Sequence, residues 1–218
     1  MTSKRSLQHV LWVGGAPCAG KTTLSRRLSN DFDMLYYDGD DHFETHFETA
    51  SAAESPATCK AKNRVHKEGS SVWMFERESD KMATFMRDLG REDLARVIKN
   101  LLELPSDKPI VVDLYSGHPP WVRNIATPER MIFLVSTDAF QKAGWEKRDG
   151  AFRREIEQCA NPEWSMKQFV DCCLMMSRQI KKECREYGLP LLGTGGCMEL
   201  DEAYEAVCNH FGLVAQNA

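Results

Sequence analysis

The chain has 218 residues, of which 42% are hydrophobic and 28% charged, with a formal net charge of −4. These values are typical of a globular protein with one core, and they predict a single domain over residues 1–218. The acidic balance argues against a nucleic-acid partner. No apolar run is long enough to span a membrane or to form a secretion signal, so no membrane partner is expected.

The predicted elements alternate between strand and helix along the chain, which is typical of a parallel sheet covered by helices. Short apolar runs predict five strands, at residues 9–13, 34–37, 110–114, 131–135 and 189–192. Helical periodicity predicts a helix from residue 21, and others over about 70–104, 139–157 with a break near Asp149 and Gly150, 166–187 and 199–211. We therefore predict an α/β fold, a three-layer sandwich with a five-stranded parallel sheet.

The cysteines show no arrangement that indicates a disulfide framework or a zinc site. The 8 cysteines form no C-x-x-C pair, and the only close pair is the adjacent Cys172 and Cys173. A reduced, cytoplasmic protein is the prediction. The sequence leaves open whether it is a monomer or a homodimer.

The segment after the first strand fits the pattern G-x-x-x-x-G-K-[ST], a loop that surrounds phosphates. Its residues are Gly15, Ala16, Pro17, Cys18, Ala19, Gly20, Lys21 and Thr22, and Thr23 follows. The glycines let successive amides converge on an anion, and the start of the next helix adds unpaired donors. Lys21 is predicted to contact the β- and γ-phosphates, and Thr22 to bind Mg²⁺. The motif therefore predicts a nucleoside triphosphate site.

Carboxylates follow the second and third predicted strands. Asp38 and Asp40 come directly after the second strand, and ligands of such sheets lie at the carboxyl ends of strands. We predict that Asp40 orients or deprotonates a phosphoryl acceptor, and that Asp38 supports it and the metal. Asp41 is predicted to cap the next helix. Asp113 ends the third strand and is a candidate to hold Mg²⁺ through water, or to cap a turn.

The phosphate loop, followed by Asp38-Gly39-Asp40-Asp41, resembles the nucleoside-monophosphate-kinase-like group of P-loop small-molecule kinases. Shikimate kinase, gluconate kinase and the chloramphenicol phosphotransferases belong to that group. The chain is also similar to uncharacterised bacterial proteins labelled adenylate-kinase-like. After the third strand, residues 115–120 read Tyr-Ser-Gly-His-Pro-Pro and lack the glycine triplet of shikimate kinase, which argues against shikimate as the acceptor.

The resemblance implies an ATP-dependent phosphotransferase that uses Mg²⁺ and moves the γ-phosphoryl group to a small molecule. It implies a helical substrate-binding insert at about 43–89 and a lid at about 141–154. Arg64 is the first candidate for substrate binding, because it belongs to a basic cluster in the insert that favours a charged acceptor. The cluster consists of Lys60, Lys62, Arg64, His66 and Lys67.

In the lid, Arg148 is the first candidate to stabilise the transferring phosphoryl group. Arg153 is the second candidate, and it is also predicted to bind ATP. Solvated helix faces remain an alternative for the basic residues of both the insert and the lid. Residues 193–196, after the fifth strand, lie where this fold packs backbone against adenine, or form a plain turn.

Three other interpretations stay open at this stage. A nucleotide-binding regulatory protein, or an NTPase without a small-molecule acceptor, would also need the phosphate loop. A zinc site is suggested by His42 and His46, although the order differs from H-E-x-x-H. Both histidines otherwise flank the acceptor site or lie on a solvated face.

An apolar stripe in the helix over 166–187 is predicted to be ordinary core, and it consists of Phe169, Val170, Leu174, Met175 and Ile180.

Overall fold

The computed structural model describes residues 7–114 and 118–214, and it contains one five-stranded sheet. The strands are β1 Val10–Gly15, β2 Leu35–Asp38, β3 Ile110–Asp113, β4 Met131–Val135 and β5 Leu191–Gly193. Their order is β2-β3-β1-β4-β5, and every pair is parallel. The predicted α/β fold with a five-stranded parallel sheet is confirmed. The predicted strand bounds differ by up to two residues at either end, because β1 continues through both glycines that follow it.

Ten α-helices and a short 3-10 helix, Pro128–Arg130, are present among the described residues. The helices are α1 Lys21–Asp31, α2 Gly39–Glu48, α3 Pro56–Glu68, α4 Val72–Phe75, α5 Ser79–Glu103, α6 Pro119–Val122, α7 Asp138–Lys147, α8 Ala151–Glu157, α9 Pro162–Tyr187 and α10 Leu200–Phe211. The predicted break near residue 149 separates α7 from α8. The single helix predicted over 70–104 is wrong, because α5 begins anew at Ser79, where the side chain of Gln168 accepts the Ser79 amide at 2.8 Å.

Helices flank the sheet in two groups. Helices α5 and α6 both pack against α9, whereas α1 packs on β1, β2 and β3, and the right-handed crossover rule is consistent with these groups lying on opposite faces. Tyr204 of α10 donates a hydrogen bond to Asp31 at the end of α1 at 2.6 Å, which joins α10 to α1. The residues of β1 are all buried between these layers, so the sheet forms the centre of the core.

The region between β2 and β3 is attached to α5 by buried polar contacts. Glu92 accepts hydrogen bonds from the amides of Ala57 and Thr58 at 2.9 and 2.8 Å, at the first turn of α3. His46 of α2 lies 2.6 Å from the Asp93 carboxylate, and both side chains are buried. These contacts fix α2 and α3 against the longest helix of this region, and their position leaves the carboxyl edge of the sheet accessible.

Gly15 is a position where only glycine fits. Its φ is +131°, and a Cβ there would lie 2.0 Å from the backbone oxygen of Leu134. Gly15→Ala is therefore expected to lower the free energy of unfolding by about 3 kcal/mol or more, measured by urea denaturation. Gly69→Ala is the matched control, since Gly69 has φ +70° but open space around it, and it should cost about 1 kcal/mol. Equal losses in the two variants would contradict this packing argument.

In the two described segments, no helix has both the length and the apolar character that crossing a membrane requires. Residues 1–6, which include the segment examined for a secretion signal, and residues 115–117, the first half of the stretch compared with the glycine triplet, lie outside the described parts of the chain.

Candidate active site

Three neighbouring strands end at the same place and bring the predicted acidic residues together. In the sheet register, Asp38 of β2 lies opposite Asp113 of β3, and Asp113 lies opposite Val13 of β1. The phosphate loop, residues 15–22, follows β1 directly. The loop and both carboxylates therefore meet at the carboxyl edge of the sheet, where such folds bind ligands.

The phosphate loop is held from its outer side. The Ala16 amide donates to the Leu134 oxygen at 2.8 Å, and Thr194 Oγ1 donates to the Ala19 oxygen at 2.8 Å. Positive φ values at Cys18 (57°) and Gly20 (81°) curve the backbone between these anchors. Because Gly20 is the N-cap of α1 and has no side chain, the first amides of α1 keep their donors available for an anion.

Lys21 and Thr22 start α1 at the inner side of the loop. Lys21 Nζ donates to the Ala16 oxygen at 3.2 Å, so the ammonium group lies over the loop. Thr22 Oγ1 donates to Asp113 Oδ2 at 2.6 Å. A hydroxyl and a carboxylate at this distance are oxygen donors of the kind that Mg²⁺ takes, together with phosphates and water. The pair could therefore hold a magnesium ion.

Both oxygens of the Asp38 carboxylate accept hydrogen bonds from neighbouring groups. Its Oδ1 accepts the amides of Asp40 and Asp41 at 3.0 and 3.4 Å, and its Oδ2 accepts Arg26 at 3.2 Å and Tyr36 at 3.0 Å. Burial acts to raise the pKa of Asp38, but these hydrogen bonds together lower it below the usual range. Asp38, with its extended backbone, is thus the N-cap of α2, and the prediction that Asp41 caps this helix is wrong.

Asp40 is the carboxylate that remains available. No hydrogen bond from a described residue reaches its side chain, which borders a cavity beside the phosphate loop. The residue is accessible to solvent, but the protein around it displaces part of the water from the carboxylate and so raises the pKa of Asp40 above its ordinary value. The positive charges of Lys21 and Arg148 lower this pKa in part. The negative charges of Asp113 and Asp38 raise it. A carboxylate with a raised pKa and a free oxygen is suited to accept a proton.

Tyr36 is a site residue that the sequence reasoning missed. Its hydroxyl lies 3.0 Å from Asp38 Oδ2 and 3.4 Å from Asp113 Oδ2, and it bridges the two strand ends. Burial raises the pKa of Tyr36, and the charge of Asp113 raises it further, so the hydroxyl keeps its proton and donates. The spacing could have identified it, because Tyr36 and Asp38 are two apart on β2 and therefore share one face of the sheet.

The three predicted arginines have different surroundings in the structure. Arg148 borders the cavity with Lys21 and Asp40. Burial raises the pKa of the Cys18 thiol in the loop, and Arg148 beside it partly offsets this rise. Arg153 instead donates to the backbone oxygens of Trp145 and Glu146, both at 3.0 Å, and so caps α7.

Arg64 and the rest of its basic cluster do not border the cavity. Arg64 donates to Glu68 at 2.8 Å and lies over the Trp73 ring, with 4.4 Å from its guanidinium carbon to the ring centroid. Lys62 donates to the backbone oxygens of Glu48 and Ala50 at 2.9 and 2.8 Å. The expectation that these side chains contact an acceptor finds no support in their placement, because Lys62, Arg64 and His66 contact residues of the insert itself.

A cavity of about 640 Å³ opens from the phosphate loop between α4, α5, α7, α8 and α9, and we call it the site cavity. At its loop end lie Lys21, Thr22, Asp40, Asp113 and Arg148. Its volume is within the range of small-molecule sites. The loop residues, the Asp40 carboxylate and Arg148 therefore border one space that has room for a small molecule.

The far wall of the site cavity is aromatic. Rings from four helices form it, with centroid distances of 4.7 Å between Trp145 and Phe169, 5.3 Å between Phe152 and Phe169, and 5.7 Å between Phe75 and Phe169. The prediction that the Phe169 stripe is ordinary core is wrong at two positions. Phe169 lines the cavity, and Met175 is 38% exposed.

The two histidines of α2 serve the packing of the insert. His46 is 5% exposed and hydrogen-bonded to Asp93 and to the Asn100 amide. The expectation that His46 flanks the acceptor site or lies on a solvated face is therefore wrong. His42 stacks on Tyr37, with 4.2 Å between the ring centroids. With His46 bonded to a carboxylate and an amide, this geometry does not support the zinc hypothesis.

The chain matches no protein-family model, and no curated protein matches it. It is similar to a solved structure of shikimate kinase from Acinetobacter baumannii in complex with shikimate, with 14% identity and a TM-score of 0.47, over 96% of this chain and 98% of that chain. It is also similar to NadR protein in complex with NR, with 16% identity and a TM-score of 0.41, over 98% of this chain and 54% of that chain. We base no functional assignment on similarity at this level.

Proposed function

We propose that the protein is a P-loop kinase that binds ATP and Mg²⁺ and transfers the γ-phosphoryl group to a hydroxyl of a small molecule. The observation that supports this proposal is that the phosphate loop, Lys21, Asp40 and Arg148 border one cavity. A regulatory nucleotide-binding protein has no need of a second ligand space beside its phosphates. The site cavity provides that space.

A candidate surface for the nucleotide base lies outside the site cavity. Thr194 bonds to the loop residue Ala19, so residues 193–196 lie against the loop. Phe140 and Leu200, each 48% exposed, lie beside Gly195 and Gly20 on this flank. Exposed apolar side chains beside the phosphate loop suit a planar base, so we assign the adenine to this flank and the acceptor to the site cavity.

The proposed transfer assigns a role to each group. Lys21 and the loop amides would hold the β- and γ-phosphates, and Thr22, with Asp113 through water, would hold Mg²⁺, which would supply charge neutralisation for the phosphates. Asp40 takes the acceptor's hydroxyl proton as the acceptor oxygen bonds to the γ-phosphorus. The bond from that phosphorus to the bridging oxygen breaks, and ADP leaves. Asp38 is a positioning residue, because it caps the helix that carries Asp40.

The direct test is incubation of the purified protein with γ-labelled ATP, Mg²⁺ and a fractionated pool of small alcohols. The proposal expects label to move from ATP to an organic product with a phosphomonoester bond. Release of inorganic phosphate alone, at a rate that no fraction changes, would overturn the kinase assignment and support an NTPase without an acceptor.

Arg148 is expected to act during transfer rather than in binding the ground state. Arg148→Met should lower kcat by about 10²-fold or more while ATP affinity changes little, because the lost charge is needed most as phosphoryl oxygens gain charge. Since Arg148 lowers the pKa of Asp40, the same change should move the acid limb of the pH–rate profile to higher pH. Steady-state kinetics over a pH series measure both effects.

Lys147→Met is the matched control for this prediction. It removes the same charge one residue earlier, from a side chain that is exposed and does not border the site cavity. Both the rate and the acid limb should remain as in the unmodified protein. A loss as large as that of Arg148→Met would mean that the lid contributes only its net charge.

A further inference from the structure

The chemistry of the site cavity defines the class of its ligand, on the premise of the proposed function. Beyond the loop end, the walls are sulfur-bearing and aromatic side chains from α4, α5, α7, α8 and α9. Met82 and Met86 of α5 and Met176 of α9 are three of them. Methionine adapts its shape and makes favourable contacts with aromatic rings. A wall of this composition fits an apolar body and offers little to a sugar or a polyanion.

The thiols in this wall are neutral. Burial raises the pKa of Cys172 to about 12, and burial also raises the pKa of its neighbour Cys173 well above its usual value. Both side chains therefore contribute uncharged, weakly polar surface. They add no charge that could recognise an ionic ligand.

Two charged side chains meet this part of the cavity. Glu155 of α8 accepts hydrogen bonds from Ser70 Oγ at 3.4 Å and from the Ser71 amide at 3.3 Å, and its carboxylate opposes an anionic acceptor. The Arg148 guanidinium carbon lies 5.2 Å from the Trp145 ring centroid, and because Arg148 also lies beside Cys18 of the phosphate loop, we assign its charge to the triphosphate. The basic cluster around Arg64, which favoured a charged acceptor, does not border this cavity, and Lys62 and Arg64 contact residues of the insert instead.

The polar atom of the aromatic wall does not face the open space. The Trp145 side chain lines the cavity and the residue is 6% exposed, but its indole nitrogen is buried, and the weakly accepting Cys173 thiol lies beside it. The cavity therefore meets the faces and edges of the rings, which fit a mainly apolar molecule.

We infer that the phosphoryl acceptor is an uncharged, ring-bearing alcohol, whose apolar ring lies against the Trp145, Phe152 and Phe169 wall and whose hydroxyl reaches Asp40. Offset or edge-to-face ring contacts would orient it. Loss of its proton to Asp40 and attack on the γ-phosphorus yield a phosphomonoester and ADP, as in the proposed transfer.

The test uses three matched probes in ligand-observed NMR titrations of the nucleotide-free protein. 1-Phenyl-1,2-ethanediol carries the ring and hydroxyls, mandelate replaces one alcohol with a carboxylate, and ethylene glycol lacks the ring. We expect the diol to bind at least 10-fold more tightly than either of the others. Comparable binding of mandelate or ethylene glycol would overturn the inference, as would failure of the diol to bind protein that binds ATP.

A pair of variants locates the binding. Met176→Glu places a charge at a half-buried position in the cavity wall. Met175→Glu places the same charge at the preceding residue, whose side chain is 38% exposed and does not border the cavity. The diol's affinity should fall at least 10-fold in Met176→Glu and stay unchanged in Met175→Glu, with ATP affinity preserved in both. Loss of ATP affinity instead would mean that the cavity holds the base, and would overturn the inference.

The outcomes also separate this inference from the proposed function. If the diol binds as expected but ATP does not bind, the cavity is an apolar ligand site, and both the kinase proposal and the acceptor role fail. If ATP binds and is hydrolysed while every ring-bearing alcohol fails to bind, the nucleotide site stands and the acceptor class is wrong.

Discussion

Lys21→Ala is expected to reduce phosphoryl transfer to background. Lys21 Nζ lies over the phosphate loop, 3.2 Å from the Ala16 oxygen, in the position to donate to the β- and γ-phosphates. Loss of charge-assisted hydrogen bonds worth about 3 kcal/mol weakens binding of the triphosphate by about 10²-fold. The missing charge also removes stabilisation of the transition state. Initial rates of ADP formation measure the loss.

The control for this variant is Lys60→Ala, which removes an exposed lysine from the basic cluster of the insert. It should leave both ATP affinity and turnover unchanged. Folding should survive in Lys21→Ala, because the side chain makes a single hydrogen bond to the loop. A Lys21→Ala protein with normal rates would show that the loop does not hold the phosphates.

Asp40→Asn is expected to spare ATP binding and to lower kcat by about 10²- to 10⁴-fold, because the amide cannot take the acceptor's proton. The carboxylate accepts no hydrogen bond from described residues, so the replacement should not disturb the site. Asp41→Asn, one residue further along α2 and exposed, is the matched control and should keep the normal rate. Transfer at the normal rate in Asp40→Asn would remove the base assignment.

The same group sets the expected pH dependence. Because the pKa of Asp40 is raised, the carboxylate becomes protonated at a higher pH than an ordinary aspartate. As the pH falls through this pKa, Asp40 can no longer accept a proton, and kcat/KM decreases. The residual activity of Asp40→Asn should lack this acid limb. An identical limb in both proteins would assign it to another group.

The elements that local sequence determines were predictable. The phosphate loop depends on glycines at two positions whose φ is positive, Gly15 and Gly20, and on the strand and helix beside it. Alternation of strands and helices predicted a parallel sheet, and the register then places Asp38 opposite Asp113. These features depend on neighbours in the chain or on general rules of sheet topology.

The division of work between the two aspartates was not predictable from their spacing. Asp38 caps α2 with one oxygen and accepts Arg26 and Tyr36 with the other. Those partners come from a preceding helix and from the same strand, and their reach depends on how α1 packs on the sheet. The pattern predicts two acidic residues at this edge, but contacts decide which one stays available.

The aromatic wall was missed because apolar periodicity does not distinguish a core from a cavity. Phe75, Trp145, Phe152 and Phe169 belong to four helices, and each has the spacing of a buried residue. They line a cavity only because these helices leave space between them. Conversely, the basic residues around Arg64 suggested a binding surface by their number, although salt bridges, backbone oxygens and ring stacking within the insert engage several of them.

The most direct test of the account is isothermal titration calorimetry with ATP, ADP and AMP in magnesium buffer. A loop that grips the β- and γ-phosphates predicts one site per chain and affinities in the order ATP, ADP and then AMP, with AMP at least 10²-fold weaker than ATP. Absence of heat with ATP, or equal affinity for ATP and AMP, would contradict the central claim.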